Sequence, residues 1–254
     1  MKERMRRLIV VLTLFLCITA AASADMIWVG YGNGVWDGSL NNWFDTDTSA
    51  LATYFPTLST NVPMPMPACT IGATTNAQAN ILWIAPWGGN PGNLTMNGGT
   101  LQTANNLWVG SQANGTFNLN GGVVTVGTQI MLGANGGTNG YMTMNGGTVN
   151  ITSEGLFMGG NGYGQLDMYG GDIVTPGIGF GVWGAGSGMV NFHNGGQITI
   201  LGTSQQADVE FWMQDGEING AMLDVVNGNI VLTPEPATLA LLGIGSLVAL
   251  KRRK

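Results

Sequence analysis

From residue 93 onward the chain repeats itself about every 24 residues. The clearest marker is a pair of adjacent glycines that follows a short alternating apolar run. The pairs begin at residues 98, 121, 146, 170 and 195, which gives spacings of 23, 25, 24 and 25 residues. A unit this small cannot bury its apolar side alone, so it must stack on its neighbours. The repeat predicts an all-β parallel β-helix, a β-solenoid with three strands per coil over residues 92–202.

The first strand of each unit has the two-residue period of a half-buried strand. In the unit at Thr116, Phe117 and Leu119 are predicted to point inward, and Asn118 between them to face solvent. The glycine pair then turns a corner, because a positive φ is cheap only without a Cβ. A second strand follows the corner, as in Val123-Val124-Thr125-Val126.

The third strand is apolar at every position, as in Leu107-Trp108-Val109. If Leu107 and Val109 face the core, an external apolar row results, made of Trp108, Met131 and Phe157. A row of this size is a candidate binding face for a partner. The alternative is that the N-terminal segment folds back and covers it.

Asparagine recurs just before the glycine pair, with Tyr169 replacing it in one unit; these residues are Asn97, Asn120, Asn145 and Asn194. Side-chain amides stacked at one corner can hydrogen-bond along the axis, as in cross-β ladders. We predict a structural role for them.

Residues 25–91 lack the repeat and are predicted to form an N-terminal cap with entry strands, which protects the edge of the first coil. A small glycan-binding face made of Trp28, Trp36 and Trp43 is the alternative. After residue 202 the period degrades, and 203–233 are expected to be irregular last coils.

Charge divides the chain sharply. All eight lysines and arginines lie in residues 2–7 and 251–254, whereas thirteen of the fourteen acids lie between Asp25 and Glu235. A body without cations cannot neutralise phosphates, so nucleic-acid binding is excluded. Adhesion of the body to anionic lipid is excluded for the same reason, and anionic polysaccharide would be repelled.

The N-terminus has the layout of a secretory signal peptide, predicted over residues 1–24 as a helix that is later removed. Basic residues precede an apolar run from Leu8, and Ala22 and Ala24 form a small-residue cleavage site for signal peptidase. The predicted context is therefore export.

The C-terminus carries a second membrane-directed segment. Pro234, Glu235 and Pro236 lead into an apolar helix predicted over 237–250, which is about 21 Å long at ~1.5 Å per residue. That length is short for a permanent transmembrane helix, because a bilayer core is about 30 Å thick. The closing cluster favours a cytoplasmic end; it is Lys251, Arg252, Arg253 and Lys254.

This tail resembles the PEP-CTERM sorting signal of Gram-negative bacteria in its Pro-Glu-Pro triplet, its apolar run and its basic end. The resemblance implies that an exosortase cuts near Pro234 to Pro236, with transient membrane association through the tail. It also implies that the body reaches the cell surface or the extracellular matrix. The repeats resemble autotransporter-associated β-strand repeats, which implies a parallel β-helix and no reaction.

Candidate catalytic residues are few. The body has no arginine for a lyase, and its acids, among them Asp167, Asp172 and Glu217, sit in no motif. One histidine and one surviving cysteine, Cys69, are too few for a zinc site, and Cys69 is predicted to be a packed residue. We therefore expect no catalytic residues, no metal and no cofactor.

The expected function is that of an exported surface or matrix structural protein. A glycan-binding surface protein is the first alternative, with extracellular polysaccharide as its partner. A carbohydrate-active β-helix enzyme is the second.

Overall fold

The computed structural model describes residues 26–28, 35–36, 42–51, 55–64, 68–87, 90–193 and 195–236. They form strands and one α-helix, α1, at Gln206–Asp215. The strands are β1 Met26–Trp28, β2 Trp43–Asp45, β3 Ala50–Leu51, β4 Val62–Met64, β5 Cys69–Ile71, β6 Asn76–Ala79, β7 Leu82–Ile84, β8 Gly92–Thr103, β9 Leu107–Val109, β10 Gly115–Val126, β11 Gln129–Leu132, β12 Asn139–Met144, β13 Thr148–Ile151, β14 Gly155–Met158, β15 Tyr163–Met168, β16 Asp172–Thr175, β17 Ile178–Phe180, β18 Ser187–Phe192, β19 Gln197–Ile200, β20 Ile218–Asn219, β21 Ala221–Val226 and β22 Asn229–Pro234.

The strands wind into a parallel β-solenoid of about six turns, as the repeat predicts. The first face stacks β5, the first half of β8, the first half of β10, β12, β15 and β18. The second face stacks β6, the other halves of β8 and β10, β13, β16 and β19. The third face stacks β4, β7, β9, β11, β14 and β17.

The alternation of each strand sets the core. Phe117 and Leu119 are fully buried and pair with Met142 and Met144 of the next coil, so the same apolar positions superpose turn after turn. The outward residue between them, Asn118, is half-buried. The predicted orientation of the first strand is therefore confirmed.

The corner between the first two faces requires glycine. Gly122 has φ +94°, and the second glycine of each of the remaining pairs also has a positive φ. A Cβ at Gly122 would lie 2.6 Å from the carbonyl oxygen of Gly99 in the coil below. The corner thus needs glycine for its backbone angle and for the close stacking of coils.

The amino-terminal end is capped by an antiparallel sheet of β1, β2 and β3. Trp28, Trp36 and Trp43 are buried there, at 0%, 2% and 0% exposure, and pack edge to face with ring centroids 4.8–4.9 Å apart. The hypothesis of a glycan-binding face on these three residues is wrong, because a ring inside the core cannot meet a sugar. Val35 bridges to Thr70 on β5, which covers part of the edge of the first coil.

The parallel register begins before the predicted repeat body. In the segment expected to be cap and entry strands, β5, β6 and β7 already pair in register with β8 and β9. This coil lacks the glycine pair, so its sequence hides the repeat.

The carboxy-terminal end differs from the irregular coils expected over 203–233. Helix α1 buries Val209 against the last coil, and Trp212 lies edge to face on Phe180 at 5.2 Å. The hairpin of β21 and β22 follows, and β22 runs antiparallel to β19. A helix and an antiparallel strand end the parallel stacking.

The predicted signal peptide, with Ala22 and Ala24, lies outside the described residues, as do the apolar helix 237–250 and the basic cluster. Within the described part of the chain, no helix combines the length and the apolar character needed to cross a bilayer.

Candidate functional site

The predicted asparagine ladder is present at the first corner. Asn120 Nδ2 donates to Asn97 Oδ1 at 2.8 Å, and Asn145 Nδ2 donates to Asn120 Oδ1 at 2.8 Å. In the next coil Tyr169 replaces asparagine, and its ring stacks on His193 at 4.1 Å. Asn194 is outside the described residues. The side-chain amides of the ladder hydrogen-bond to one another, which fits a structural role.

A polar cluster surrounds Asp167 on the first face. Asn191 Nδ2 donates to Asp167 Oδ1 at 2.9 Å, Gln165 Nε2 donates to Oδ2 at 2.6 Å, and His193 Nε2 lies 3.1 Å from Oδ1. Partial burial raises the pKa of Asp167, but the hydrogen bonds from Asn191, His193 and Gln165 outweigh it. The pKa is therefore below its usual value.

The acids near the carboxy-terminal end form a second group. Partial burial and the neighbouring charge of Asp215 raise the pKa of Glu217. Across the described ranges, no three side chains of His, Cys, Asp or Glu come close enough to share a metal ion.

Cys69 is a buried free thiol in β5, at 2% exposure. Burial raises the pKa of this thiol far above its ordinary value. The prediction that Cys69 packs as a small apolar residue is confirmed.

The external apolar row exists on the third face and is longer than expected. Strand register places Pro63, Trp83, Trp108, Met131 and Phe157 side by side in successive coils. Gly179 ends the row.

Much of this row is covered by the chain itself. The segment 181–186 after β17 runs back across the face, with Trp183 N–H donating to Gly160 O at 3.1 Å. The Trp183 ring lies 6.0 Å from that of Trp108, and Met131 is completely buried. Of the predicted binding face, Met131 is therefore unavailable and Phe157 is half-buried. Among the described residues this cover comes from 181–186, and not from the N-terminal segment.

At its amino-terminal end, among the residues that the structure describes, the row borders a cavity of about 320 Å³ beside Trp108. Its lining includes Pro63, Trp83, Trp87, Trp108, Gln112 and Asn135. We call this cavity the tryptophan groove.

The sequence signal that points to this groove is the internal match between Leu82-Trp83-Ile84 and Leu107-Trp108-Val109. The two triplets pair residue for residue in adjacent strands. Trp83 lies outside the predicted binding face, because residues 25–91 lack the glycine pair and are predicted to be cap and entry strands.

The sorting motif begins inside the last strand. Pro234 ends β22 opposite Ala221, and Glu235 N–H donates to Gly220 O at 2.9 Å. Glu235 and Pro236 are exposed. The triplet therefore leaves the folded body directly, with no linker before it.

A capped stack of parallel coils that runs straight into an exposed Pro-Glu-Pro segment defines a β-solenoid protein. The family model described as the PEP-CTERM protein-sorting motif matches residues 232–254, which confirms the resemblance of the tail. The motif indicates an exported protein that an exosortase processes at its C-terminus. Comparison with curated proteins and with solved structures gives no match for this chain.

Proposed function

We propose that this protein is a structural component of the cell surface or of the extracellular matrix, delivered there after exosortase cleavage of its tail. The proposal rests on the junction between the last strand and the sorting motif. The sorting motif follows directly on the last strand of a solenoid that is capped by its own chain at the amino-terminal end and by α1 and the hairpin at the other.

The arrangement of side chains supports a scaffold over an enzyme. The strongest polar cluster holds Asp167 ionised and engages its oxygens with three neighbours in the same and the next coil. A glycosidase needs one carboxyl with a raised pKa as general acid. Glu217 has a raised pKa, caused by partial burial and by the charge of Asp215 at the end of α1, but neither acid lines the tryptophan groove. We propose that neither group performs catalysis.

Mass spectrometry of the mature C-terminus tests the processing step. Protein recovered from the surface of producing cells should end near Pro234 to Pro236, and cells without exosortase should retain Lys254. Glu235→Ala should block cleavage, whereas Asp224→Ala, an exposed acid in the same hairpin, should leave it intact. An intact Lys254 on surface protein from normal cells contradicts the proposal.

A complementation experiment tests the structural role separately. Cells that lack this protein should lose cohesion of their matrix, and the Asp167→Asn variant should restore it as well as the unaltered chain does. Failure of a folded, exported Asp167→Asn protein to restore cohesion would support the enzyme alternative. Release of reducing or unsaturated sugar ends by the purified protein would do the same.

A further inference from the structure

The tryptophan groove has the form of a small-molecule site. Its volume of about 320 Å³ lies at the lower end of the range for such sites, roughly 300–1,000 Å³. Indole rings from two adjacent coils, Trp83 and Trp108, form part of its wall with ring centroids 6.3 Å apart and nearly perpendicular planes. Trp87, from the segment after β7, is 46% exposed and adds a third ring at the rim.

The Trp83 and Trp108 rings are held in place by the buried strands that carry them and by a neighbouring ring. Trp83 and Trp108 occupy paired positions on β7 and β9, and their neighbours Leu82, Ile84 and Leu107 are fully buried. Trp183 packs on the other side of Trp108, with centroids 6.0 Å apart. Rings on a rigid sheet lose little conformational entropy when a ligand binds, which favours affinity.

Polar groups converge on the same space. Asn135 Nδ2 donates to the carbonyl oxygen of Ser111 at 2.6 Å, which fixes the amide, and its Oδ1 accepts no hydrogen bond from any residue that the structure describes. The side chain of Gln112 is exposed and makes no hydrogen bond to any residue the structure describes. Two amides beside indole rings can donate to and accept from hydroxyl groups.

One donor in the wall lacks an acceptor. The Nε1 of Trp108 is shielded from solvent and has no hydrogen-bond partner in the described part of the chain. A buried donor left unpaired costs about 1–3 kcal/mol.

Charge selects the class of ligand. No lining residue of the groove is charged, and the chain has no lysine or arginine between residues 8 and 250. An anionic ligand would find no counter-ion and would meet the field of an acidic body. A neutral ligand that combines apolar faces with hydroxyl groups fits rings and amides together.

From this combination we propose that the tryptophan groove binds a short stretch of neutral polysaccharide. The apolar faces of the sugar rings stack on Trp83, Trp87 and Trp108, and the hydroxyl groups bond to Gln112 and Asn135. This function goes beyond that of a scaffold, and it does not depend on cleavage of the tail. It would attach the solenoid to a matrix by one end of its third face.

Isothermal titration calorimetry tests the proposal on the full chain, held in a detergent without a sugar headgroup such as lauryldimethylamine oxide. The probes are cellohexaose, mannohexaose, maltohexaose and xylohexaose, with oligogalacturonate as the acidic comparison. We expect at least one neutral probe to bind and oligogalacturonate not to bind. The absence of binding by all four neutral probes up to about 5 mM, which corresponds to a binding free energy of about −3 kcal/mol, overturns the proposal.

Matched variants locate the binding. Trp87→Ala and Gln112→Ala should each weaken it at least tenfold. Their controls are Phe211→Ala, an exposed aromatic residue on α1, and Gln102→Ala, an exposed glutamine on the second face, and both should leave affinity within twofold. Because all four side chains are exposed, folding should survive, which circular dichroism checks. Equal loss in variants and controls contradicts the assignment.

Light scattering separates a sugar from a protein occupant. If the groove instead binds a second copy of this chain, the full chain will form dimers that Trp87→Ala disrupts, and the neutral probes will not bind. That result also overturns the proposal.

Discussion

Among single residues, Asp167 lies at the centre of a polar cluster on the first face of the solenoid. Its two oxygens accept hydrogen bonds from a residue in its own strand and from one in the next coil, and His193 adds a contact at 3.1 Å. Because these interactions connect adjacent coils, they stabilise the stacking of the coils as well as the ionised form of Asp167. The consequence is a dependence of stability on acid pH.

The direction of that dependence follows from the lowered pKa of Asp167. A carboxyl with a folded-state pKa below its unfolded value stabilises the protein above the unfolded pKa, about 3.9, and the contribution is lost as pH falls through the folded pKa. Asp167→Asn should therefore lower the free energy of unfolding by about 1 kcal/mol at pH 7, after allowance for solvent screening. The difference should shrink below pH 4.

Urea unfolding at pH 7 and near pH 3 measures this difference. Asp172→Asn is the matched control, since Asp172 is exposed on the second strand of the same coil. A difference that stays constant or grows on acidification would contradict the role of Asp167.

At the level of elements, close contacts at glycines limit how tightly successive coils can stack. Gly140 in β12 illustrates this, because a Cβ there would lie 2.2 Å from the carbonyl oxygen of Val109 and 2.2 Å from the backbone nitrogen of Gly133. Gly137, three residues earlier, has φ +78° but open space around it. A substitution at Gly140 therefore tests steric contact, and a substitution at Gly137 tests backbone strain.

Replacing each glycine by alanine should have different effects. Gly140→Ala forces two backbone segments apart and should cost about 3 kcal/mol or more, in the class of severe overpacking. Gly137→Ala meets only the penalty of a left-handed residue, about 1 kcal/mol. Thermal unfolding of the two variants compares them; equal melting temperatures would show that the close contact at Gly140 relaxes freely.

The terminal hairpin is the element that links the body to the sorting motif. Leu232 in β22 is fully buried and pairs with Ile198 and Leu223, whereas its neighbour Val231 is half-buried. Leu232→Ala should cost about 2–4 kcal/mol through a buried cavity, and Val231→Ala less than about 1.5 kcal/mol.

Hydrogen exchange measures the local stability of the hairpin directly. In Leu232→Ala the amides of β21 and β22 should lose protection before those of the central coils do, since each coil contacts only its neighbours. Simultaneous loss of protection throughout the solenoid would show that the hairpin is not an independent end cap.

For the whole molecule, charge is the property that sets behaviour in solution. Thirteen acids lie between Asp25 and Glu235, a stretch without lysine or arginine, and within the described ranges the contact between a basic and an acidic side chain is His193 to Asp167. Uniform negative charge keeps copies apart and opposes the compact state by self-repulsion.

Stability should accordingly rise with salt. Raising ionic strength from about 0.01 M to about 0.1 M shortens the screening length from about 30 Å to about 10 Å, so the melting temperature should increase by a few degrees. Differential scanning calorimetry in sodium chloride and in choline chloride distinguishes screening from ion-specific effects. A melting temperature that falls in both salts would indicate stabilising ion pairs in place of repulsion.

The sequence alone determined the repeating architecture. A two-residue alternation such as Phe117 and Leu119, followed by a glycine that needs positive φ, is a local property of each unit. Because the units repeat, the register of one coil carries over to the next, and the Asn97 to Asn145 ladder follows from the same superposition. The sorting tail could also be predicted from the sequence, since its motif lies in contiguous residues.

Only the tertiary structure decided what remains open on the surface. The return of segment 181–186 over Met131, the coil at 69–84 that lacks a glycine pair, and the burial of Trp28 and Trp43 all depend on contacts between residues far apart in the chain. Local periodicity says which side of a strand is apolar but not what packs against it. The tryptophan groove is what these long-range contacts leave uncovered.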